Sequence, residues 1–395
     1  MPLRPCWVEI RTRLLEQNFR FLAGVAAPHA ELLAIVKADA YGHSLALCAP
    51  TVVRAGARWL GVTSVEEGVA ARAFCADARI LVISGAFAGQ GADVARHKLT
   101  PVAWEPWQLD ELESAAREAR VNAGSIPVHL EIDTGMSRQG VDPESIDPLL
   151  ARFGSGSPLK LDGVMTHLFA ADEADGAITQ EQLARLTAAL ERVRAAGLQA
   201  EWLNVGNSAA LLSEQAAAIG AIAAQFGMKA LLRPGLALYG LAPQFDPAFS
   251  GSEPAALAAA HQRLEPVLSW KTKVVGVRSV PAGASVGYNG TFVATEAMRL
   301  ALLAVGYGDG LERRLGNRFS LLVHGQRAPL VGRISMDQAV LDVTEIPEVS
   351  SGDEVVILGT QGSETITAFD HAEAARTIPW EIFTRIGPRV TRVAV

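Results

Sequence analysis

The chain has 395 residues, of which 49% are hydrophobic, and this length and composition suffice for two buried cores. The formal net charge of −7 and the lack of a long cationic block argue against binding to nucleic acid or to an anionic membrane surface. Because no uncharged run reaches the roughly 20 residues of a membrane helix, and the three cysteines lack CxxC spacing, we expect neither membrane association nor a disulfide framework or metal site.

The first predicted element is the short β-rich run CWVEI near the N-terminus. It precedes a series of eight predicted strands and is not needed to complete that series. We therefore expect residues 7–10 to pair with a second domain. The N-terminus itself has no apolar signal core. We therefore expect a cytoplasmic enzyme that acts on a small molecule.

A lysine ends the next apolar run, in the segment AIVKADAYGHS at residues 34–44. Lys37 is costly to desolvate there, and it either extends its ammonium into solvent or serves as a Schiff-base nucleophile with a lowered pKa. Tyr41, Gly42 and His43 then open a predicted helix, and the N-terminus of a helix holds phosphate. An amine beside a phosphate site points to pyridoxal phosphate.

Short β-rich runs alternate with longer helical patterns through the first 240 residues, as in parallel α/β proteins. An open doubly wound sheet would alternate in the same way, but its glycine-rich fingerprint after the first strand is missing. The number and order of the strands therefore predict a (β/α)8 TIM-type barrel. The runs of this series are ELLAIVKA, WLGVTS, ILVISG, LTPVAW, PVHLEID, LDGVMTH, EWLNVG and LLRPG.

Residues suited to chemistry recur where these strands end. A barrel enzyme places its functional side chains at the carboxyl ends of its strands, so the predicted barrel requires such a cluster. Taken singly, His167 could be an ordinary strand-end histidine, Ser208 a helix N-cap and Arg233 a turn residue before proline. The residues at or just after strand ends are Lys37, Glu131, Arg138, His167, Asn207, Ser208 and Arg233.

The character of the sequence changes after Tyr239. The passage APQFDPAFSGSEPAALAAA is rich in Pro, Gly, Ser and Ala, and it predicts a connection that is partly helical. The runs VLSWKTKVVGVRSV, RLALLAVGYG, SLLVHG and DEVVILG then alternate with glycine turns, which favours a C-terminal β-rich domain. We expect residues 1–243 to form the barrel domain, apart from the strand at 7–10, and residues 244–395 to form the linker and the β-rich domain.

Motifs along nearly the whole chain resemble those of the alanine racemases, in that family's order. The resemblance implies a barrel that binds pyridoxal 5'-phosphate, a β-domain, and a homodimer whose active sites take residues from both subunits. It also implies the activity, the interconversion of L- and D-alanine, which supplies D-alanine for cell-wall peptidoglycan. The motifs are AIVKADAYGHS, DTGMSRQG (133–140), MTHLFA (165–170), NVGNSAA (204–210), RPGLALYG (233–240), VGYNGTF (286–292), VGYGDG (305–310) and ISMDQ (334–338).

Racemisation removes the α-proton of an amino acid and returns it to the opposite face, so it needs an electron sink and a base on each side. The resemblance implies that Lys37 is the Schiff-base lysine and the base for the D enantiomer, and that Tyr288 from the other subunit is the base for the L enantiomer. A free phenol has a pKa of about 10, so Tyr288 needs help near neutral pH. By the resemblance, His167 bridges this tyrosine to Arg233, and Arg233 contacts the pyridine nitrogen of the cofactor.

Four further residues are assigned to the cofactor phosphate by the resemblance. Tyr41 and Ser208 match phosphate-binding side chains of the family. Gly235 and Leu236 are expected to contribute backbone N–H groups at a turn that enters a helix.

The remaining residues that the resemblance assigns concern the substrate and the approach to the site. Arg138 matches the arginine that contacts the phenolic oxygen of the cofactor and the substrate carboxylate. Met336 matches a substrate-contacting main-chain group from the other subunit. Tyr307 and Asp337 match residues of the partner chain that narrow the approach to the site.

Two positions depart from the family's pattern. Glu131 stands seven residues before Arg138, where many relatives carry a lysine that becomes carbamylated and presents a negative charge to the arginine. A glutamate carries that charge directly, so we predict that Glu131 orients Arg138 and that carbamylation is unnecessary. Trp380, in IPWEIF, stands where the family commonly has a phosphate-binding tyrosine, and its larger ring leaves a phosphate contact open to doubt.

Three alternatives to an alanine racemase remain open from the sequence. A broader amino-acid racemase that also acts on serine would carry the same motifs. A non-catalytic pyridoxal-phosphate-binding protein of the single-barrel type would lack the β-rich region that contains Tyr288. A decarboxylase with a similar barrel is disfavoured by VGYNGTF and ISMDQ.

Overall fold

The computed structural model describes residues 4–120, 122–173, 176–213, 215–245 and 253–395. Contacts within the chain divide it into two compact units. The larger, here called the barrel unit, comprises Arg13–Ala40 and Cys48–Glu265. The smaller, here called the β unit, comprises Met1–Thr12, Tyr41–Leu47 and Pro266–Val395, and it contains the first strand, β1 (Cys6–Ile10).

The two units divide between Glu265 and Pro266, and the predicted boundary after residue 243 stays a prediction. A side chain of the first helix binds the main chain at Glu265. The Asn18 amide donates to the main-chain carbonyl of Glu265 at 2.9 Å and accepts from its N–H at 3.1 Å. Glu265 is therefore bonded within the barrel unit.

Eight parallel strands close into the predicted barrel. They follow one another in chain order around it, and the last pairs with the first, so the predicted fold is confirmed. Most of their residues are buried on both faces, because the interior of the barrel lies on one side and helices on the other. The strands are β2 (Glu31–Ile35), β3 (Trp59–Val62), β4 (Arg79–Val82), β5 (Thr100–Ala103), β6 (Ile126–Glu131), β7 (Leu159–Met165), β8 (Trp202–Asn204) and β9 (Lys229–Leu232).

Helices follow the strands and present one apolar face to them. In α8 the buried residues include Leu183, Leu186, Leu190 and Val193, which lie three or four positions apart. The helices between residues 12 and 263 are α1 (Thr12–Ala26), α2 (Lys37–Tyr41), α3 (Leu45–Ala55), α4 (Val65–Phe74), α5 (Gly91–Arg96), α6 (Pro106–Glu118), α7 (Asp147–Leu150), α8 (Ala177–Ala195), α9 (Ser208–Leu211), α10 (Gln215–Gln225) and α11 (Ala255–Arg263).

A line of polar side chains runs through the interior of the barrel. Asp162 accepts a hydrogen bond from Arg79 at 2.5 Å and lies 3.4 Å from the buried ring of His129. The other ring nitrogen of His129 lies 3.4 Å from the side-chain amide of Asn204. Gly163 makes room for the ring, since a Cβ there would lie 2.6 Å from it. The line reaches Asn204 at the carboxyl end of β8, where the predicted site lies.

The β unit contains a mixed nine-stranded sheet. Its main path runs β15, β14, β17, β10, β1 and β19; β13 pairs with β10 and β16, and β18 pairs with β17. Because β1 pairs with both β10 and β19, the N-terminal segment lies within this sheet. The strands after β9 are β10 (Leu268–Val280), β11 (Ser285–Val286), β12 (Phe292–Val293), β13 (Met298–Leu303), β14 (Ser320–Val323), β15 (Gln326–Pro329), β16 (Ala339–Asp342), β17 (Glu354–Gln361), β18 (Glu364–Ile366) and β19 (Thr391–Ala394).

Two helices of the β unit were not predicted, α12 (Ala368–Ala375) and α13 (Pro379–Thr384). The first begins with a capping box in which Thr367 and Asp370 satisfy each other's backbone N–H groups, a spacing that is visible in the sequence.

Part of the predicted connection between the domains, residues 246–252, lies outside the described residues. Its helical part is α11. Within the described ranges, no helix has both the length and the apolar character needed to cross a bilayer.

Candidate active site

Lys37 follows Val36, the first residue after strand β2, at the carboxyl end of the barrel. Burial lowers the pKa of its ammonium, and the positive charges of Arg138 and Arg233 lower it further, while Glu67 opposes them. In the part of the chain that the structure describes, the amine forms no hydrogen bond or ion pair. This is the environment of a lysine that can lose its proton and act as a nucleophile or base.

The residues after Lys37 form a left-handed helical turn. Ala38, Asp39, Ala40 and Tyr41 have φ angles between 51° and 56°, although none of them is glycine. Such residues cost roughly 1–2 kcal/mol each in this conformation, so the turn persists only because other bonds hold it. One of these bonds is made by the N–H of Ala40, which donates to the carbonyl of Val36 at 2.9 Å.

The helix predicted to open at Tyr41 begins instead at Leu45. Tyr41 and Gly42 have positive φ, which a right-handed helix does not allow. Gly42 is required there, because a Cβ would lie 2.3 Å from the carbonyl oxygen of Phe383. Tyr41 lies in the β unit, and burial raises the pKa of its phenol to about 12.

A glutamate on α4 fixes the turn that follows Lys37. One carboxylate oxygen of Glu67 accepts the N–H of Ala38 at 2.7 Å, and the other accepts the N–H of Thr63 at 2.7 Å. Two loops at the carboxyl ends of β2 and β3 are thus held by one side chain. No role for Glu67 was predicted from the sequence. Ser64 caps the same helix, where its hydroxyl accepts the N–H of Glu67.

Arg233 is buried just beyond β9, and main-chain and side-chain acceptors hold it. Nη1 donates to the carbonyl of Asn204 at 2.8 Å and to its side-chain oxygen at 2.6 Å. Nη2 donates to the carbonyl of Thr166 at 2.9 Å and approaches Nδ1 of His167 at 3.0 Å. Burial lowers the pKa of Arg233 to about 10, so the guanidinium stays charged at neutral pH. In the described residues Nε forms no hydrogen bond and is available to a ligand.

The ring of His167 is neutral and has a fixed tautomer. Arg233 only donates hydrogen bonds, so Nδ1 of His167 must accept and the proton lies on Nε2. Burial and the positive charges of Arg233, Arg138 and Lys37 lower the pKa of His167 to about 3. His167 therefore offers an Nε2–H donor throughout the neutral range.

Ser208, Gly235 and Leu236 lie together at the next strand ends. The Ser208 hydroxyl accepts the N–H of Gly235 at 3.1 Å and the N–H of Ala237 at 3.4 Å. Leu236 begins a short 3₁₀ turn, where the first N–H groups have no partner inside the turn. Asn207 is the N-cap of α9 and accepts the N–H groups of the two residues after Ser208.

Glu131 does not bond Arg138, contrary to the prediction that it orients this arginine. The loop after β6 turns Arg138 outward, where its guanidinium is exposed and forms no hydrogen bond or ion pair with any described residue. The buried carboxylate of Glu131 instead accepts the side-chain amide of Gln139. Arg138 and Arg233 act on Glu131 only through their charge.

The residues predicted to act from a partner subunit lie on the surface of the β unit. Tyr288 is 67% exposed, Met336 53% and Tyr307 43%, which is unusual for large side chains with apolar surface. Asp337 is exposed and pairs with Arg389 at 2.6 Å. None of them belongs to the barrel unit.

Trp380, the second residue of α13, is also exposed at the surface of the β unit. Among the described residues, no contact of Trp380 tests whether it binds the cofactor phosphate.

Three residues of the site were missed at the level of sequence: Glu67, Asn204 and Gln139. Asn204 could have been found, because it ends a predicted strand and opens the motif NVGNSAA. Gln139 stands in DTGMSRQG next to the assigned arginine, but nothing in that string says that its side chain turns inward.

The barrel unit fits pyridoxal phosphate by its donors and its free amine. Lys37 offers an amine with a lowered pKa, and Arg233 offers an unused Nε–H to a ring nitrogen. Leu236 offers its N–H and Ser208 its hydroxyl hydrogen to a phosphate, whereas the N–H of Gly235, predicted to bind the phosphate, is bonded to Ser208 instead. In the described ranges no group of His, Cys, Asp and Glu side chains has the arrangement of a metal site.

Comparison with protein families gives two matches that cover most of the chain. Residues 10–243 match the alanine racemase N-terminal domain, and residues 267–394 match the alanine racemase C-terminal domain. The alanine racemase of Halothermothrix orenii is 36% identical over 390 residues, which are 98% of this chain and 96% of that protein. The alanine racemase of Symbiobacterium thermophilum is 37% identical over 392 residues, 99% and 97% of the two chains.

Solved structures match over the same extent. Alanine racemase from D-cycloserine-producing Streptomyces lavendulae superposes with a TM-score of 0.87 at 32% identity, covering 100% of this chain and 98% of that one. Alanine racemase from Bartonella henselae with covalently bound pyridoxal phosphate superposes with a TM-score of 0.80 at 26% identity, covering 99% of each chain.

Proposed function

This chain belongs to the alanine racemase family, and we propose that Lys37 and Tyr288 are the two bases with which it works. The activity is that of a pyridoxal-phosphate-dependent isomerase that interconverts L- and D-alanine. Its product D-alanine serves the synthesis of cell-wall peptidoglycan, the usual role of the family. The observation that supports the proposed roles is the Lys37 amine, which has no partner among the described residues. Its pKa is lowered by burial and by the charges of Arg138 and Arg233.

The cofactor, when bound, supplies an electron sink for the charge left on the α-carbon. Lys37 would hold the cofactor covalently through its amine, and Arg233 would donate its Nε–H to the ring nitrogen. Ser208 and Leu236 would hold the phosphate together with Tyr41 and the turn at Gly235. Because Arg233 stays protonated, it would offer this hydrogen bond without giving up a proton, and a ring nitrogen kept neutral in this way would be a weaker electron sink with fewer side reactions.

Lys37 moves the proton on the face from which D-alanine reacts. An amine accepts a proton only when it is neutral, and the lowered pKa raises its neutral fraction near pH 7. Arg138 and Arg233 maintain this state by their charge. The same charges make the protonated amine a stronger acid, which favours return of the proton.

Tyr288 of a second subunit moves the proton on the face from which L-alanine reacts. His167 supports it, because its Nε2–H can donate to the phenolate and so stabilise the charged form. Arg233 in turn fixes the tautomer of His167. Arg138 binds the substrate carboxylate, for which its exposed guanidinium is free, and Met336 of the second subunit lies against the substrate.

A homodimer is supported by the surface of the β unit. Tyr288, Tyr307, Met336 and Trp380 leave large side chains exposed there. The β unit also contains a cavity of about 700 Å³. Five arginines that pair with no described carboxylate line it: Arg313, Arg314, Arg318, Arg333 and Arg376. A second copy of a chain with net charge −7 would cover the exposed side chains and offset these charges. We propose the cytoplasm as its place of action.

Tyr288→Phe tests the assignment of the two faces. In wild type, the circular dichroism of L-alanine is expected to decay to zero without loss of alanine, and the α-deuterium of either enantiomer is expected to exchange with solvent. The variant is expected to lose exchange from L-alanine by about 10²-fold or more, because its phenylalanine cannot take a proton. Exchange from D-alanine continues through Lys37 and is slowed far less.

Tyr307→Phe is the matched control, because it removes the same hydroxyl from the same unit. It is expected to slow exchange from both enantiomers equally. Equal slowing of the two enantiomers by Tyr288→Phe would contradict the assignment of Tyr288 to the L face.

A further inference from the structure

Gln139 is the direct partner of the buried carboxylate in this site. Its Nε2 donates one hydrogen to Glu131 at the end of β6 and approaches the main-chain carbonyl of Ile83, beyond the end of β4, at 3.2 Å. A carbonyl only accepts hydrogen bonds, so this second contact fixes which end of the amide is the nitrogen. The amide therefore presents a donor to Glu131 and cannot turn its oxygen there without losing the bond to Ile83.

The loop that carries Arg138 and Gln139 is closed at its base by Glu131 itself. The carbonyl of Glu131 accepts the N–H of Val141 at 2.9 Å, and the N–H of Asp133 donates to the carbonyl of Val141 at 2.9 Å. Both the main chain and the side chain of Glu131 thus hold this loop. The side chain that Glu131 holds belongs to the residue directly after Arg138.

Inside the loop, Asp133 and Gly140 restrict the path of the chain. The carboxylate of Asp133 accepts the N–H groups of Gly135 at 2.9 Å and Ser137 at 3.1 Å. Gly140 has a φ of 114°, and a Cβ there would lie 2.5 Å from the N–H nitrogen of Asp133. The main chain of this loop therefore has little freedom, and the side chains of Arg138 and Gln139 start from a fixed backbone.

The charge of the Glu131 carboxyl depends on its burial and on the polar and charged groups around it. Burial raises the pKa of its carboxyl to about 7, and Asp133 acts in the same direction by its charge. The hydrogen bond from Gln139 and the positive charges of Arg233 and Arg138 act in the opposite direction. Glu131 is therefore close to the point at which it would take up a proton at neutral pH.

We propose that Gln139 is a positioning residue that keeps Glu131 ionised and fixed, so that Arg138 meets substrate opposite a negative charge without carbamylation. The proposal deepens the proposed role of Arg138 and rests on it. Glu131 and Gln139 act as one unit: the glutamate supplies the charge, and the amide pays part of its desolvation cost. Neither needs to touch the substrate.

Gln139→Leu and Gln139→Lys test this proposal by opposite expected shifts. Leucine removes the donor, so the pKa of Glu131 is expected to rise by about one pH unit. Lysine replaces the amide with a positive charge, so the pKa is expected to fall. If Gln139 only filled space, leucine would leave the pKa of Glu131 unchanged, whereas lysine would lower it by its charge in either case. The leucine variant is therefore the decisive one, and the lysine variant shows that the titration of Glu131 responds to this position.

The measurement is an infrared pH titration of the cofactor-free protein. The band of the protonated Glu131 carboxyl is assigned by its loss in Glu131→Gln. Gln199→Leu is the matched control, because Gln199 donates only to the main-chain carbonyls of Ala200 and Phe226. The control is expected to leave the titration of Glu131 unchanged.

The acid limb of kcat/KM for alanine gives the second readout. It is expected to move to higher pH in Gln139→Leu and to lower pH in Gln139→Lys, in parallel with the infrared titration. An unchanged or lowered pKa of Glu131 in Gln139→Leu would overturn the proposal, whatever the lysine variant shows.

Arg138→Ala separates this proposal from the proposed function. Loss of Arg138 is expected to raise the KM for alanine. An unchanged KM would remove the role of Arg138 in substrate binding and leave the infrared result on Gln139 standing as a separate finding about Glu131.

Discussion

At the scale of single residues, Lys37 depends on a carboxylate that lies beside it in the fold and not in the sequence. Glu67 holds Ala38 and Thr63 by two bonds of 2.7 Å, and its charge opposes the lowering of the Lys37 pKa. It therefore limits how far Lys37 loses its proton while it fixes the chain that carries the amine. A neutral isostere would disturb both effects at once.

Glu67→Gln is expected to lower the free energy of unfolding by about 1–2 kcal/mol, because the amide retains a single acceptor for two N–H groups. The pKa of Lys37 is expected to fall further, because a negative charge is lost. Urea unfolding measures the first effect. The pH dependence of acetylation of Lys37 in the cofactor-free protein, followed by peptide mass spectrometry, measures the second.

Glu66→Gln is the control for this pair of measurements. Glu66 is the exposed neighbour of Glu67 in the first turn of α4 and accepts a hydrogen bond from Gln90 at 2.8 Å. Its substitution is expected to change stability by less than about 0.5 kcal/mol. If both variants moved the Lys37 titration equally, general surface charge and not the Glu67 bridge would set the pKa of the amine.

At the scale of elements, the left-handed turn after Lys37 is the most strained part of the barrel unit's catalytic end. Four residues in succession have positive φ, and the turn carries the chain from Lys37 at the site to Tyr41. A right-handed helix starting at Lys37 would lead the chain away from the strand along a different path. The strain therefore has a structural consequence, since it sets the path by which the chain leaves the lysine.

Ala38→Gly is expected to raise the free energy of unfolding by about 1 kcal/mol. Glycine removes the Cβ that clashes in a left-handed turn, and this gain exceeds the entropy that glycine adds to the unfolded chain. Ala184→Gly, at an exposed position of the right-handed helix α8, is expected to lower it by about 1 kcal/mol. Urea unfolding of both variants checks the signs. Destabilisation by Ala38→Gly would show that the turn is not strained.

The same contrast explains what the sequence could predict. The eight barrel strands were predictable because each is a short buried run bounded by helical patterns, and their count and order define the barrel. Lys37 and Arg233 were predictable because the barrel places strand ends together. The left-handed turn was not, because KADAY contains no glycine and its residues favour a right-handed helix.

The sequence also could not show which side chains bond to each other in the site. Glu131 was expected to meet Arg138, but neighbouring loop residues point in opposite directions, so Gln139 and not Arg138 turns inward. Sequence spacing cannot decide between such neighbours in an irregular loop. Short strands of the β unit such as β11 and β12 were missed for a related reason, since two residues are too few to show a period.

At the scale of the whole molecule, the two units carry different halves of the proposed chemistry. The barrel unit holds Lys37, His167 and Arg233, whereas Tyr288 lies exposed on the β unit. In a dimer with shared sites, each site uses the lysine of one chain and the tyrosine of the other. This arrangement differs in a measurable way from one in which each chain completes its own site.

Mixing Lys37→Ala with Tyr288→Phe is expected to restore activity that neither variant has alone. In a mixed dimer one site carries both substitutions, and the other has an intact Lys37 opposite an intact Tyr288. Random reassortment makes about half of the dimers mixed, and each has one intact site of two, so about a quarter of wild-type activity is expected. The two variants are co-expressed with different affinity tags, and racemase activity is assayed before and after the mixed dimers are isolated.

Lys37→Ala mixed with Arg233→Ala is the matched control, because both residues belong to the barrel unit. Each site of that mixed dimer lacks one of the two, so no activity is expected to return. Recovery only in the first mixture requires that Tyr288 act across the subunit boundary. If isolated mixed dimers of Lys37→Ala and Tyr288→Phe stayed inactive, each chain would have to complete its own site, and the exposed Tyr288 would need another explanation.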